Sequence, residues 1–371
     1  MPEPDALRGP SRASIAQRIG HVPRTSLCTP IGRIVRSMML IGAIAAGTGD
    51  ATAGAKRQQV APDGIPSPDP DHLIDIGRWN PAGGRQQIPL WPAGLAMAKP
   101  ETDKPETTVK GTRLVGGRSW SAVMNVSTPT MTVYPPRGRN GGAAMLVLPG
   151  GGYEVVAIDL EGTEICDWVT AQGMTCILLK YRVPQSWHAG PNGAERAPPV
   201  QLALQDAQRA MSLIRYRAAT LKIDPRRVGV IGFSAGGHLV QAVSNADRRS
   251  YKPVDAADSQ PSRPDLAIAL YPGHIRDSSG GKASDNTRLA PWITVSPKAP
   301  PTFILHSVND PTDSVYQSFA YGLALKKAGV PFEMHLYAYG GHAFGLRPSK
   351  VAMTAEWPGL VVQWLHSLGI G

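Results

Sequence analysis

From about residue 143 onward, short unbroken apolar runs alternate with segments whose apolar positions recur every three or four residues. The runs AAMLVLP (143–149), MTCILLKY (174–181), VGVIGF (228–233), LAIALYP (266–272), TFILHS (302–307) and FEMHLYAY (332–339) read as strands. FEMHLYAY apart, they lack the strict apolar/polar alternation of a half-exposed strand, so a sheet covered on both faces is expected. TMTVYPP (130–136) does alternate, and reads as an exposed edge strand. Between the runs lie helical patterns at 161–172, after Ser234, at 314–329 and near 357–368. The sharpest has Leu204, Ala207, Met211, Ile214 and Ala218 on one face. Lys326, Lys327 and Gly329 form a good helix stop. Parallel strands alternating with helices predict an α/β layer structure, a parallel sheet with helices on both faces.

The first 112 residues look different. Arg33 and Arg36 precede the apolar run MMLIGAIAAG (38–47), and Ala51-Thr52-Ala53 follows. A positive start, a short apolar core and a small-residue site make residues 1–53 an expected export signal with an N-terminal extension. Ten residues are too few to span a bilayer, which takes about 20. The thirty-odd residues ahead of Arg33 are explained if the true start lies nearer Val35 or Met38; a tail without fixed structure is the alternative. Residues 54–112, rich in Pro, Gly, Asp and Lys, read as a linker or as an arm lying on the body, with IPLWPAG (88–94) anchored by Trp91. The expected catalytic domain then covers 113–371. Of 371 residues, 38 are Lys or Arg and 28 Asp or Glu, a net charge of +10 spread along the chain. Without a clustered basic stripe no nucleic-acid partner is expected. The chain's 3 cysteines form no C-x-x-C or Cys/His cluster, and no metal or organic cofactor is expected. Cys28 lies in the export segment. Cys166 and Cys176 are expected as two buried free thiols, although a disulfide is open to them outside the cytoplasm.

Candidate chemistry collects where strands end, which is where a parallel sheet presents reactive side chains. After VGVIGF, the pentapeptide Gly232-Phe233-Ser234-Ala235-Gly236 is a G-x-S-x-G turn, which lifts a serine hydroxyl above a sheet. After AAMLVLP come Gly150, Gly151, Gly152 and Tyr153; after TFILHS comes VNDPTD, with Asp310 and Asp313; after FEMHLYAY comes GGHAFG, with His342. The order Ser…Asp…His suits an acyl-transfer triad of Ser234, Asp310 and His342. Serine needs a base to take its proton, the base needs an acid to hold its tautomer, and the tetrahedral oxyanion needs preorganised donors. The N–H groups of Gly151, Gly152 and Ala235 are the expected donors.

LPGGGY, LQDAQRAMSLIR, IDPRRVGVIGFSAGGHL, SRPDLAIALYP and GGHAFG together resemble the α/β-hydrolases of the acetyl-xylan-esterase and feruloyl-esterase-like group, over some three quarters of the chain. The resemblance implies an α/β-hydrolase fold with a mostly parallel eight-stranded sheet. It also implies serine-esterase activity on acylated plant polysaccharide, a secreted or periplasmic location, and no stable membrane insertion. Two departures stand out. Asn309 occupies the first of two positions usually acidic in the group, and Pro149 stands where the hormone-sensitive-lipase branch has histidine.

Each assignment has a rival. Ser234 is also what a non-catalytic relative would keep as a turn residue. Asp313 competes with Asp310, which could simply initiate a turn before Pro311. His238, four residues after Ser234, and His306 are expected to be structural. No G-K-[ST] follows the glycines, so a phosphate loop is a poor fit. Tyr153 and Trp187 are candidate substrate contacts or packing residues. Asn125-Val126-Ser127 matches a glycosylation sequon. The competing activities are a feruloyl esterase, a general short-chain carboxylesterase, an exopeptidase and a carbohydrate-binding relative without activity.

Overall fold

A computed structural model describes residues 73–100, 102–185, 201–277, 285–347 and 352–370. The expected export signal, Trp187 and the start of the arm lie outside them. The strands are β1 (Leu73–Gly77), β2 (Ile88–Pro89), β3 (Thr107–Val115), β4 (Arg118–Met124), β5 (Thr130–Tyr134), β6 (Ala144–Leu148), β7 (Val155–Val156), β8 (Thr175–Lys180), β9 (Val228–Phe233), β10 (Leu266–Leu270), β11 (Thr302–Ser307) and β12 (Phe332–Tyr337). The helices are α1 (Glu164–Ala171), α2 (Gln201–Tyr216), α3 (Ala218–Leu221), α4 (Ala235–Asn245), α5 (Tyr316–Ala328) and α6 (Trp357–Ser367).

Eight strands form the main sheet in the order β12-β11-β10-β9-β6-β8-β5-β2. Strands β12 through β8 in that order are mutually parallel, and β5 runs antiparallel between β8 and β2. β6, β8, β9, β10 and β11 are buried along their whole length, as their unbroken apolar runs predict. β5 corrects the expectation of an exposed edge: four of its five residues are buried, and Ile88 and Pro89 pair beside it as β2. The strand that covers β5 comes from the segment expected as an arm, too short and Pro-bearing to read as a strand. That segment also supplies β1 and most of β3, which join β4 and β7 in a smaller sheet.

Buried cations hold the arm to the body. Arg182, just after β8, has a fully buried side chain, as does Asp206 on α2. Its guanidinium donates to both carboxylate oxygens of Asp206 and to the carbonyl of Ala98. Asp206 also accepts the indole N–H of Trp91 at 2.8 Å. Arg209, one turn further along α2, donates to the carbonyl of Leu90 and pairs with Asp255 and Asp258. Lys180 on β8 meets Glu106 of the arm at 2.5 Å, with both side chains nearly buried. Trp91 therefore anchors the arm by its N–H as well as its ring.

Cys166 and Cys176 form a disulfide with Cα atoms 5.3 Å apart, correcting the expectation of free thiols. Cys166 sits on the buried face of α1 and Cys176 on β8, directly beneath. The tight return from helix to strand brings them within disulfide reach. Spacing alone could not reveal this, since it depends on which helix face meets the sheet.

Three stability outcomes are expected. Asp206→Ala leaves a buried guanidinium unpaired and should lower unfolding stability by about 3–5 kcal/mol in urea titration. Breaking the exposed Glu333–His335 pair with Glu333→Ala should change stability by less than about 1 kcal/mol. Reduction of the Cys166–Cys176 bond frees a ten-residue loop and should cost about 2–4 kcal/mol, read as a lower urea midpoint with dithiothreitol.

Candidate active site

Ser234 links β9 to α4 with φ 52° and ψ −119°, a conformation few non-glycine residues adopt. The sequence around it makes the turn feasible. A Cβ at Gly236 would collide with the carbonyl of Leu148 on the neighbouring strand, and one at Gly232 would collide with the carbonyl of Gly236. Only glycine lets β9, β6 and the first turn of α4 close this tightly. Ser234 is left 9% exposed.

Its hydroxyl oxygen is 2.8 Å from His342 Nε2, and His342 Nδ1 is 2.7 Å from Asp310 Oδ2. Three side chains from three different strand ends thus form one hydrogen-bonded line. Asp310 Oδ1 accepts the N–H groups of Thr312 and Asp313, and His306 Nε2 lies 3.2 Å from Oδ2. His306 Nε2 is also 2.9 Å from the carbonyl of Asp313. A carbonyl can only accept, so this nitrogen carries the proton, and Nδ1 accepts from Ser318 at 2.7 Å. Burial pushes the Asp310 carboxyl up, but hydrogen bonds from His306 and His342 outweigh it and bring it down to about 2. Burial pushes His342 down, yet Asp310, Asp313 and Glu161 raise it to about 9.

Asp313, the rival acid, stands 3.8 Å from His342 Nε2, on the side of the ring away from Asp310. His238 is buried, with Nδ1 2.9 Å from the Tyr153 hydroxyl. Burial and the neighbouring His274 bring its basicity down to about 3, so it stays neutral. Tyr153 has no exposed surface, and its ring packs edge-on to Tyr181 and His238. Among the described residues no acceptor takes the N–H of Gly151, Gly152 or Ala235. Gly150 instead donates to Glu161.

Two supporting roles escaped the sequence reading. Asn309 accepts the N–H groups of Gly340 and Gly341, each at 3.0 Å, and so fixes the turn before His342. An amide oxygen can do this as well as a carboxylate, which explains the tolerated departure at this position. Arg347, three residues beyond Phe344, locks the far side of that turn to Glu164 at 2.7 Å. The adjacency of Asn309 to Asp310 was the one available signal.

The sheet order and the serine turn are those of the α/β-hydrolase fold. Residues 201–367 match the family model described as "Prolyl oligopeptidase family". An acetylxylan esterase of Xylanibacter ruminicola is 27% identical over 55% of this chain and 41% of its own length, so the match spans less than half of that protein. An ethyl acetate hydrolase of Pseudomonas putida is 27% identical over 61% of this chain and 73% of its own. The crystal structure of an acetyl ester-xyloside bifunctional hydrolase from Caldicellulosiruptor lactoaceticus superposes with a TM-score of 0.54 at 28% identity, covering 77% of this chain and 97% of that one.

The elevated imidazole has a direct signature. In NMR titration His342 should change protonation near 9, well above a free imidazole, while His238 should not titrate between pH 5 and 10. Because the folded value is raised, protonated His342 contributes stability that is complete below the free-imidazole value and is lost as pH rises through 9. Asp310→Asn should bring the His342 midpoint down.

Proposed function

We propose that this chain is a serine esterase that removes acyl groups, foremost acetyl, from hemicellulose-type polysaccharide or oligosaccharide through an acyl-enzyme. The observation that carries the reading is the continuous line Ser234 Oγ–His342–Asp310, with links of 2.8 and 2.7 Å. In the neutral state of His342, the Ser234 O–H donates to Nε2 and Nδ1–H donates to Asp310. Ser234 Oγ attacks the ester carbonyl carbon, its proton passes to Nε2, and the carbonyl electron pair moves onto oxygen. That oxyanion is received by N–H groups of Gly151, Gly152 and Ala235; one such donor is worth about 2.7–4 kcal/mol. The intermediate collapses by breaking the bond to the sugar oxygen, which takes the proton from Nε2. Water then enters by the same route, giving its proton to His342, and releases the carboxylic acid and Ser234. Asp310 holds the imidazole tautomer and balances its charge.

The three named relatives, all hydrolases of acetyl esters by their descriptions, support a small acyl group. The acetylxylan esterase and the xyloside-directed hydrolase among them support a sugar leaving group. The Cys166–Cys176 disulfide suits an oxidising compartment. Together with the export pattern at residues 33–53, it supports a secreted or periplasmic enzyme. Among the described residues no helix is long and apolar enough to cross a membrane.

The test is release of acetate and of ferulate from native acetylated and feruloylated xylan, with Ser234→Ala as the blank. Acetate release, reduced in Ser234→Ala by at least about 10³-fold, is the expected outcome. Ferulate alone would retain the mechanism and replace the acyl assignment. Cleavage of 4-nitrophenyl acetate with neither polymer attacked would overturn the polysaccharide assignment.

A further inference from the structure

Glu161 is a carboxylate in the wrong place for a structural ion pair. It is 1% exposed, and among the described residues no Lys or Arg pairs with it. Such a group is costly to bury unless something polar holds each oxygen. Oε2 accepts the N–H of Gly150 at 2.8 Å, and Oε1 accepts the Tyr271 hydroxyl at 3.0 Å. The same hydroxyl accepts the N–H of Gly345 at 3.2 Å. Gly150 opens the Gly151–Gly152 turn, and Gly345 lies three residues beyond His342. One carboxylate therefore joins the two loops whose relative placement the reaction requires.

Its surroundings fit that task. A Cβ at Gly150 would stand 2.5 Å from Glu161 Oε2 and 3.0 Å from Ser234 Cβ, so only a glycine fits between the carboxylate and the serine turn. Tyr271, at φ 37°, presents its ring edge-on to His342 with centroids 5.1 Å apart. The charged and titratable groups around His342 are Asp310 and Asp313 from the loop after β11, Glu161 from the turn before α1, His306 behind Asp310, and Tyr271 after β10. The only cation that Glu161 can face among them is the imidazolium of His342. A negative charge near the oxyanion would by itself slow the reaction. The Gly150 N–H occupies the side of the carboxylate nearest that loop, which leaves His342 as the centre through which the charge acts favourably.

We propose that Glu161 is a positioning residue for the reaction centre: it fixes the oxyanion turn through Gly150 and the histidine turn through Tyr271, and balances the positive charge His342 gains on taking the serine proton. This rests on the assignment of Ser234 and His342 to acyl transfer. Burial pushes the Glu161 carboxyl up from its ordinary value, and the charge of His342 is the foremost influence opposing that rise, followed by the hydrogen bonds from Gly150 and Tyr271.

The experiment is single-turnover phosphorylation of Ser234 in the full chain by diethyl 4-nitrophenyl phosphate, followed from pH 5 to 10 for wild type, Glu161→Gln and Tyr271→Phe. The probe reads the reaction centre without depending on any sugar or acyl specificity. Glu161→Gln should slow labelling by about 10–100-fold, less than outright deletion of an oxyanion donor, and should move the midpoint of its pH rise to lower pH. Tyr271→Phe should slow labelling too but leave the midpoint in place, because the carboxylate remains. A purely structural role would lower the melting temperature without moving the midpoint. A folded Glu161→Gln with wild-type rate and midpoint overturns the inference. If Glu161→Gln does not fold, a wild-type rate in Tyr271→Phe overturns it. A wild type that is not labelled at all overturns the acyl-transfer reading and this inference with it, whereas a labelled wild type beside an unaltered Glu161→Gln overturns this inference alone.

Discussion

Holding Ser234 at φ 52° and ψ −119° costs about 1–3 kcal/mol of backbone strain, and the surrounding sheet must supply that energy. It does so by crowding. β9 lies between β6 and β10, all three buried throughout, and α4 packs back onto them. The glycines at 232 and 236 permit an approach at which no Cβ fits, so the turn has no roomier alternative without pulling α4 off the sheet. The strained serine is the outcome of a packed parallel sheet ending abruptly under a helix. Everything that reaches Ser234 arrives from a neighbouring strand end and inherits its placement from the same sheet.

The second constraint is electrostatic. His342 is buried, which by itself opposes its charged form, yet Asp310, Asp313 and Glu161 together reverse that effect. Asp310 can do so without becoming a liability because every approach to it is occupied by a donor: two backbone N–H groups, His306 and His342. The pKa of Asp310 falls for the same reason that the pKa of His342 rises. His238 supplies the contrast. It is just as buried but has a phenol and another histidine for neighbours, and it remains neutral. Burial alone therefore does not decide which histidine can hold a proton; the carboxylates do.

The same distinction marks what the sequence could disclose. Ser234 and Asp310 were legible because each follows an apolar run that folds as a buried strand, and His342 because it follows the last strand run, although that strand, β12, is a partly exposed edge; strand ends of a parallel sheet converge. Six of the strands were legible for the same reason. β2 was not, because a two-residue strand containing proline carries no periodicity; its role depends on β5 needing a partner. The Cys166–Cys176 bond and the Arg182–Asp206 pair depend on which helix faces meet which strands, information that spacing along one element does not contain. Glu161 was lost inside a helical pattern as one more polar residue. Its position on a turn of π-helix, just before α1, is what directs it inward.

The arm illustrates how such long-range pairings bear on the site. Arg182 follows β8 and Arg209 lies on α2, and between them they hold the carbonyls of Ala98 and Leu90, so the arm is fastened at two points to elements flanking the catalytic sheet. Trp91 closes the gap by donating to the carboxylate that already binds Arg182. The arm in return lays β2 beside β5, removing the exposed edge from that side of the sheet. A segment whose composition reads as a linker is thus attached by buried polar groups of the body. Its Pro and Gly content reflects the bends of an extended chain following a surface, and composition of that kind does not separate a mobile tether from a strap held by buried cations.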